Sequence, residues 1–291
     1  MKAVAFEYDA PTTADEAVGL LAEHGDEAKV LAGGQSLIPM LALRLAVFDR
    51  LVDIGRIDEL RGIERRDGAL RIGAATTDAE VERDAEVRAA APLVARATPL
   101  IGHLQIRNRG TVGGSIAHAD PAAEYPAVAL ALDAELDVLS PRGRRVIAAR
   151  DFFTGLWSTA LAPDELLAGV SFPVWSGRSG FAVEELSRRH GDFAIAGAAV
   201  AVQLDDDQDR VRRCAVALIG MASVPVRATS AEAAAVGVTI DAVDPAEVGR
   251  LAAGDADPPS DVHGTAVYRR RVGAAVVARA WTAAVGEARS G

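Results

Sequence analysis

Ala32-Gly33-Gly34-Gln35-Ser36-Leu37-Ile38-Pro39, read together with Thr111-Val112-Gly113-Gly114-Ser115-Ile116-Ala117-His118-Ala119-Asp120-Pro121, decides how this chain folds. A Gly-Gly pair lets two consecutive peptide N–H groups turn inward without interference from Cβ, and a neighbouring hydroxyl adds a donor. Each segment is therefore a candidate anion nest, and two nests suit a diphosphate. Neither segment contains Lys or Arg. Backbone dipoles and hydroxyls are expected to do most of the neutralising, which favours a resident cofactor over a phosphate that is transferred.

Outward from these segments the chain reads as mixed α and β. Residues 13–23 carry apolar side chains at helical spacing behind Thr12-Thr13, a candidate cap. Lys29-Val30-Leu31-Ala32 reads as a strand entering the Gly33-Gly34 turn. Further strands are expected at 51–54 and 70–74, one helix over 78–97, and a strand with its turn over 136–143. At Phe172-Pro173-Val174-Trp175-Ser176-Gly177-Arg178-Ser179-Gly180 the pattern breaks into Pro, Ser and Gly, which marks a domain boundary near residue 175. Beyond it, strands at 194–204 and 211–221 flank the acidic turn Asp205-Asp206-Asp207-Gln208-Asp209, which suits a solvated hairpin tip. Ala-rich helices are expected at 231–235, 245–253 and 267–285.

At 291 residues the chain can bury two modest cores, and 50% hydrophobic with 25% charged residues reads as globular. Charges interrupt every Ala/Val/Leu stretch, so no membrane span is expected. The start, Met1-Lys2-Ala3-Val4-Ala5-Phe6-Glu7, lacks the apolar region of a secretory signal, and the expected location is the cytoplasm. A net charge of −10 argues against nucleic acid as a partner. Cys214 is the sole cysteine, too few for a disulfide, an iron–sulfur cluster or a structural zinc. If this chain moves electrons, its own redox centre must be organic.

Neither Gly-x-Gly-x-x-Gly nor a Gly-Lys pair occurs, which excludes a Rossmann fingerprint and a Walker loop. Four stretches carry a resemblance instead. They are Lys29 through Pro39; Ile106-Arg107-Asn108-Arg109-Gly110-Thr111-Val112-Gly113-Gly114-Ser115 with His118-Ala119-Asp120-Pro121-Ala122-Ala123-Glu124-Tyr125-Pro126; Asp164-Glu165-Leu166-Leu167 leading to Phe172-Pro173; and Ser187-Arg188-Arg189-His190-Gly191-Asp192-Phe193-Ala194-Ile195-Ala196. In order and spacing they resemble the FAD-binding medium subunit of the molybdenum hydroxylases, the family of aerobic carbon monoxide dehydrogenase and xanthine dehydrogenase.

That resemblance implies an α+β fold. A two-subdomain FAD-binding unit of the vanillyl-alcohol-oxidase/PCMH type would span 1–175, its subdomains about 1–57 and 58–175. A small C-terminal domain with an antiparallel sheet and helices would span 178–287. It also implies the cofactor contacts. Lys29, Ala32, Gly33, Gly34, Gln35, Ser36, Thr111, Gly113, Gly114 and Ser115 would form or support the FAD diphosphate site. Leu37, Ile101, Gly102 and Leu167 would lie near the ring system, and Glu124 would accept hydrogen bonds from a cofactor hydroxyl or amide. Partners would be a small [2Fe-2S] subunit and a large molybdopterin subunit, assembled as a dimer of heterotrimers, with electrons passed to an acceptor such as NAD or a quinone. Where some members carry Lys, this chain has Glu184-Glu185, so a cation beside the flavin is not assured.

Plainer readings stand beside these. His118 caps the loop or bonds the cofactor, and Asp120 is expected to pin the loop through backbone N–H groups. Arg188-Arg189 with Asp192 is a substrate clamp or an ion-paired turn. The histidines lack metal-ligand spacing, Trp157, Trp175 and Trp281 are scattered, and no side chain is assigned a catalytic role. Two further functional readings are a free-standing flavin-dependent oxidoreductase and a non-redox nucleotide-binding assembly subunit.

Overall fold

In the computed structural model, which describes residues 2–206 and 209–290, strands and helices first alternate around a small parallel sheet. They are β1 (Glu7–Asp9), α1 (Ala14–His24), β2 (Ala28–Leu31), α2 (Leu37–Leu43) and β3 (Arg50–Asp53). The strand order is β1-β3-β2, both pairs parallel. Thr13 caps α1 by accepting the Glu16 N–H, as the sequence predicts. Ala17, Val18 and Leu21 line the helix face that packs on Val52 and Ile54.

Five antiparallel strands follow in the order β4-β5-β10-β6-β7. They are β4 (Ile63–Arg66), β5 (Ala69–Gly73), β6 (Glu135–Ser140), β7 (Gly143–Ala148) and, after the small ribbon β8 (Phe153–Gly155) and β9 (Ser158–Thr159), β10 (Leu166–Pro173). The single helix expected over 78–97 is three: α3 (Asp78–Arg83), α4 (Ala85–Ala90) and α5 (Pro92–Ala97). Asp84 leaves helical geometry to cap α4 by accepting the Val87 N–H, and Pro92 at the first turn of α5 pushes Ala91 out of the helical region. Next come α6 (Leu104–Arg107), α7 (Val112–His118), α8 (Glu124–Ala131) and, after β7, α9 (Ala149–Phe152). Every residue of α8 is buried, so this helix lies inside the molecule rather than on it.

The last sheet is β11 (Ser179–Leu186), β12 (Ala196–Leu204), β13 (Val211–Ile219) and β14 (Val226–Arg227), antiparallel and in sequence order. Three helices complete the chain: α10 (Thr229–Ala235), α11 (Pro245–Gly254) and α12 (Ala266–Ser290). β12 is buried along its whole length because both faces of this sheet are covered. Ala199, Ala201, Ala215, Ala217 and Ile219 face a core shared with Tyr125 and Val128 of α8. Their alternate neighbours Ala198, Val200, Val202, Val216 and Leu218 face Val277, Ala280 and Trp281 of α12. The period-2 alternation of small residues thus places one sheet between two helices. A two-residue linkage also joins the halves: Arg96 of α5 bonds Glu287 of α12 through two contacts of 2.6 Å, and Glu287 accepts the Phe181 N–H at 2.8 Å.

Of the acidic turn expected at 205–209, Asp207 and Gln208 lie outside the described residues. Its flanks are tied rather than merely solvated, since Arg178 donates to the Asp205 carbonyl at 3.1 Å and to the Asp209 carboxylate at 2.5 Å. No helix among the described residues is long and apolar enough to cross a membrane.

Candidate functional site: a cleft between two glycine segments

β2 ends at Leu31, and the chain turns over residues 32–36 before α2 begins. Gly34 sits at φ +75°, a left-handed backbone that favours glycine. The N–H groups of Gly33, Gly34, Gln35, Ser36 and Leu37 donate to no protein acceptor among the described residues. The hydroxyls of Ser36 and Ser115 likewise bond no other protein group among them. Consecutive backbone donors without partners are costly unless water or a ligand accepts them.

The second segment departs from its expected part. Thr111 caps α7 by accepting the Gly114 N–H at 3.1 Å. Val112, Gly113 and Ser115 donate to the carbonyls of Thr76, Ala74 and Thr111 at 3.1, 3.0 and 3.0 Å. With these N–H groups engaged, Gly113-Gly114 is not a second backbone nest. Its glycines allow close approach instead. A Cβ on Gly113 would lie 2.3 Å from Ala74 Cβ, and one on Gly114 would lie 3.2 Å from Ala32 Cβ. Gly33 makes the reciprocal fit, since a Cβ there would reach 2.0 Å from the Arg109 carbonyl oxygen. The second segment is a wall that seats the first loop.

Two adjoining clefts open on this seam, of about 420 and 500 Å³. Ala32, Tyr8, Asp53 and Arg109 line both; Arg56, Arg61 and Thr111 line the first, and Gly33, Gly34, Gln35, Ile38 and Pro39 the second. Guanidinium groups therefore stand at the cleft beside the backbone dipoles and hydroxyls. Arg56 and Arg109 make no ion pair among the described residues. Tyr8 donates to Asp53 Oδ2 at 2.5 Å across the parallel sheet, and this bond holds the phenol above its ordinary pKa. Unpartnered N–H donors, free hydroxyls and unpaired arginines fit a diphosphate, and the volumes fall in the range of cofactor sites.

The remaining expected residues line neither cleft. Lys29, on β2, places its ammonium 5.7 Å from the centre of the Phe48 ring. His118 ends α7, stacks on Trp157 at 6.3 Å, and is held below the usual histidine pKa first by burial. Asp120 accepts the Ala122 N–H at 2.9 Å, as a loop-pinning residue should. Leu37 begins α2, Gly102 sits at φ +50° with Ile106 against it, and Ile101 and Leu167 pack into one core cluster. Glu124 begins α8 at 6% exposure, and burial, then the Glu185 charge, pushes its carboxyl up to about 8. Arg189 pairs with Asp192 at 3.1 Å, the ion-paired turn.

Tyr8, Asp53, Arg56, Arg61 and Arg109 are among the cleft residues that sequence reasoning missed. Arg109 had a signal, lying within the quoted stretch before Thr111; Tyr8 and Asp53 are brought together by the β1–β3 pairing, Arg56 and Arg61 follow β3 in the chain, and none of these carries a local mark. Cys214 is buried, with its thiol pushed up to about 12, which leaves it inert as a nucleophile. Among the described residues no group of three or more His, Cys, Asp or Glu is placed to hold a metal ion.

Residues 4–175 match the family model described as the FAD binding domain in molybdopterin dehydrogenase, and residues 181–284 that of the CO dehydrogenase flavoprotein C-terminal domain. The 6-hydroxypseudooxynicotine dehydrogenase complex subunit alpha of Paenarthrobacter nicotinovorans is 39% identical over 99% of this chain and 97% of its own. The carbon monoxide dehydrogenase medium chain of Hydrogenophaga pseudoflava is 38% identical over 96% of each. A solved structure of carbon monoxide dehydrogenase from Hydrogenophaga pseudoflava, lacking the Mo-pyranopterin moiety of the molybdenum cofactor, superposes with a TM-score of 0.93 at 38% identity, covering 99% of both chains.

Proposed function

This chain belongs to the family of FAD-binding subunits of molybdenum hydroxylases, and on that footing we propose that it is the electron-transfer subunit of a multi-subunit oxidoreductase. Electrons reach it from a small [2Fe-2S] subunit and leave to an external acceptor such as NAD or a quinone. The organic substrate reacts elsewhere, at a molybdopterin centre in a large subunit, and the assembly is a dimer of heterotrimers in the cytoplasm. Residues 1–175 hold the cofactor, in subdomains of about 1–57 and 58–175, and 178–287 form the C-terminal domain.

The observation that carries this reading is the run of unpartnered N–H groups from Gly33 to Leu37, facing Arg109 and seated by the second glycine segment. Bound there, FAD supplies exchange between two-electron and one-electron chemistry. This chain's own residues bind and orient it. The loop N–H groups and the Ser36 and Ser115 hydroxyls donate to the diphosphate, while Arg56 and Arg109 balance its charge. Ile101 and Leu167 give the ring system an apolar wall. Burial favours the protonated form of Glu124, which can donate a hydrogen bond as well as accept one.

Whichever of carbon monoxide, an N-heterocycle or an aldehyde reduces the assembled complex should bleach its flavin band under anaerobic mixing. The same compound mixed with the isolated, FAD-loaded chain should leave the band unchanged. Bleaching of the isolated chain at a comparable rate would make it a free-standing enzyme and overturn the proposal.

A further inference from the structure

Arg107 closes α6 at 8% exposure, and every nitrogen of its guanidinium is engaged. Nε donates to Glu82 Oε2 at 2.9 Å and Nη2 to Glu82 Oε1 at 3.1 Å, a two-bond fork onto α3. Nη1 donates to the Ile101 and Gly102 carbonyls, both at 3.2 Å, and lies 3.5 Å from the Pro99 carbonyl oxygen. No backbone N–H among the described residues donates to any of these three carbonyls. One side chain therefore gathers a loop that turns its oxygens toward a single point. Glu82 is a firm anchor for it, since the capping box of Thr77 and Glu80 secures α3.

The loop has contacts on two sides. Ile101 is partly buried against the core that includes Tyr125 and Val128. His103, next after Gly102, stacks on His190 of the C-terminal half, with ring centres 5.9 Å apart and planes 6° from parallel. Gly191 fits against the same imidazole, because a Cβ there would lie 2.6 Å from His103 Cε1.

We propose that Arg107 is a positioning residue for the bound flavin, holding residues 99–103 in the conformation that presents Ile101 to the ring system. This rests on the FAD reading above, in which Ile101 is part of the apolar wall. Carbonyl oxygens that face one another repel, and part-buried acceptors without donors are costly. A guanidinium relieves both, since its planar fork satisfies a carboxylate with one edge while Nη1 serves the carbonyls. Without it the loop must turn its oxygens toward water, and Ile101 and His103 move with them. The donors from Gly33 to Leu37 lie on another segment and are spared.

The variant Arg107→Gln/Glu82→Gln removes the clamp with no change of net charge. In the assembled complex it should keep stoichiometric FAD, yet weaken the visible circular dichroism of the flavin and shift its midpoint potential. Ile101→Ala should shift both in the same direction, and adding it to the pair variant should shift them no further, because the clamp acts through Ile101. Glu82→Gln alone leaves the guanidinium in place and should give the same change in smaller measure, which keeps the test open where the pair variant does not fold. Native dichroism and potential in a folded pair variant would overturn the proposal, and so would a shift that adds to that of Ile101→Ala. A native complex with no flavin would instead overturn the FAD reading. The part that needs no cofactor is read in the full chain by NMR of the histidine rings. The pair variant should move the His103 and His190 signals and leave that of His24, on α1, where it was. An unmoved His103 signal would show that the loop does not depend on Arg107, whatever the flavin content.

Discussion

A Gly33→Ala chain is expected to lose FAD on desalting while its C-terminal sheet stays folded. The added methyl would lie 2.0 Å from the Arg109 carbonyl oxygen, 2.7 Å from its carbon and 2.8 Å from Gly110 Cα. All three are backbone atoms, so no side-chain rotation relieves the overlap. Residues 32–36 must move off the second segment and carry the N–H groups of Gly33 through Leu37 with them. Overpacking of this kind costs about 1–3 kcal/mol of stability, but the larger effect is on binding, where several donors lose their alignment together. The flavin-to-protein absorbance ratio after gel filtration reads it, with circular dichroism as the check on folding. Gly19→Ala is the control, since a Cβ at Gly19 of α1 meets nothing within 4 Å. Stoichiometric FAD in Gly33→Ala would contradict the assignment of the first loop.

Gly180→Ala should produce the complementary outcome, a large loss of stability with the cofactor cleft spared. A Cβ on Gly180 would lie 1.8 Å from the Ala284 carbonyl oxygen and 2.7 Å from the Ala288 nitrogen, where α12 crosses β11. Relief requires the end of α12 to rise from the sheet. That movement pulls Glu287 away from the Phe181 N–H and from Arg96, the linkage between the halves. The packing cost alone is about 1–3 kcal/mol, and at about 2–4 °C per kcal/mol for a chain of this size class the lost linkage takes the fall in Tm toward 10 °C. Thermal unfolding followed by circular dichroism measures it, and FAD retained in the cold separates it from Gly33→Ala. An unchanged Tm would mean that the helix is not seated where the glycine allows.

Much of the architecture was legible because it follows local rules. Thr13 as a cap, strands at β2, β3 and β5, and the Ala-rich helices after residue 228 all show periodicity or punctuation that a linear reading detects. The reading of 78–97 as one helix failed at Asp84 and Pro92, two residues whose capping roles outweighed the continuous helical spacing. At the cleft, the sequence marked both glycine segments but not what each does. Gly33 and Gly114 look alike in one dimension; only the fold reveals that one leaves its N–H free and the other spends it on Thr111. Tyr8 and Asp53 converge through strand pairing, Arg56 joins them from the turn after β3, and Glu184 reaches Arg279 of α12 while Glu185 occupies the opposite face of β11.

The most direct test is the flavin, iron and molybdenum content of the complex that the tagged chain brings down from its native cells. FAD in fixed ratio with both metals, and lost selectively in Gly33→Ala, is the predicted result. Purification with its native partners of a complex that contains both metals but no flavin would contradict the central claim.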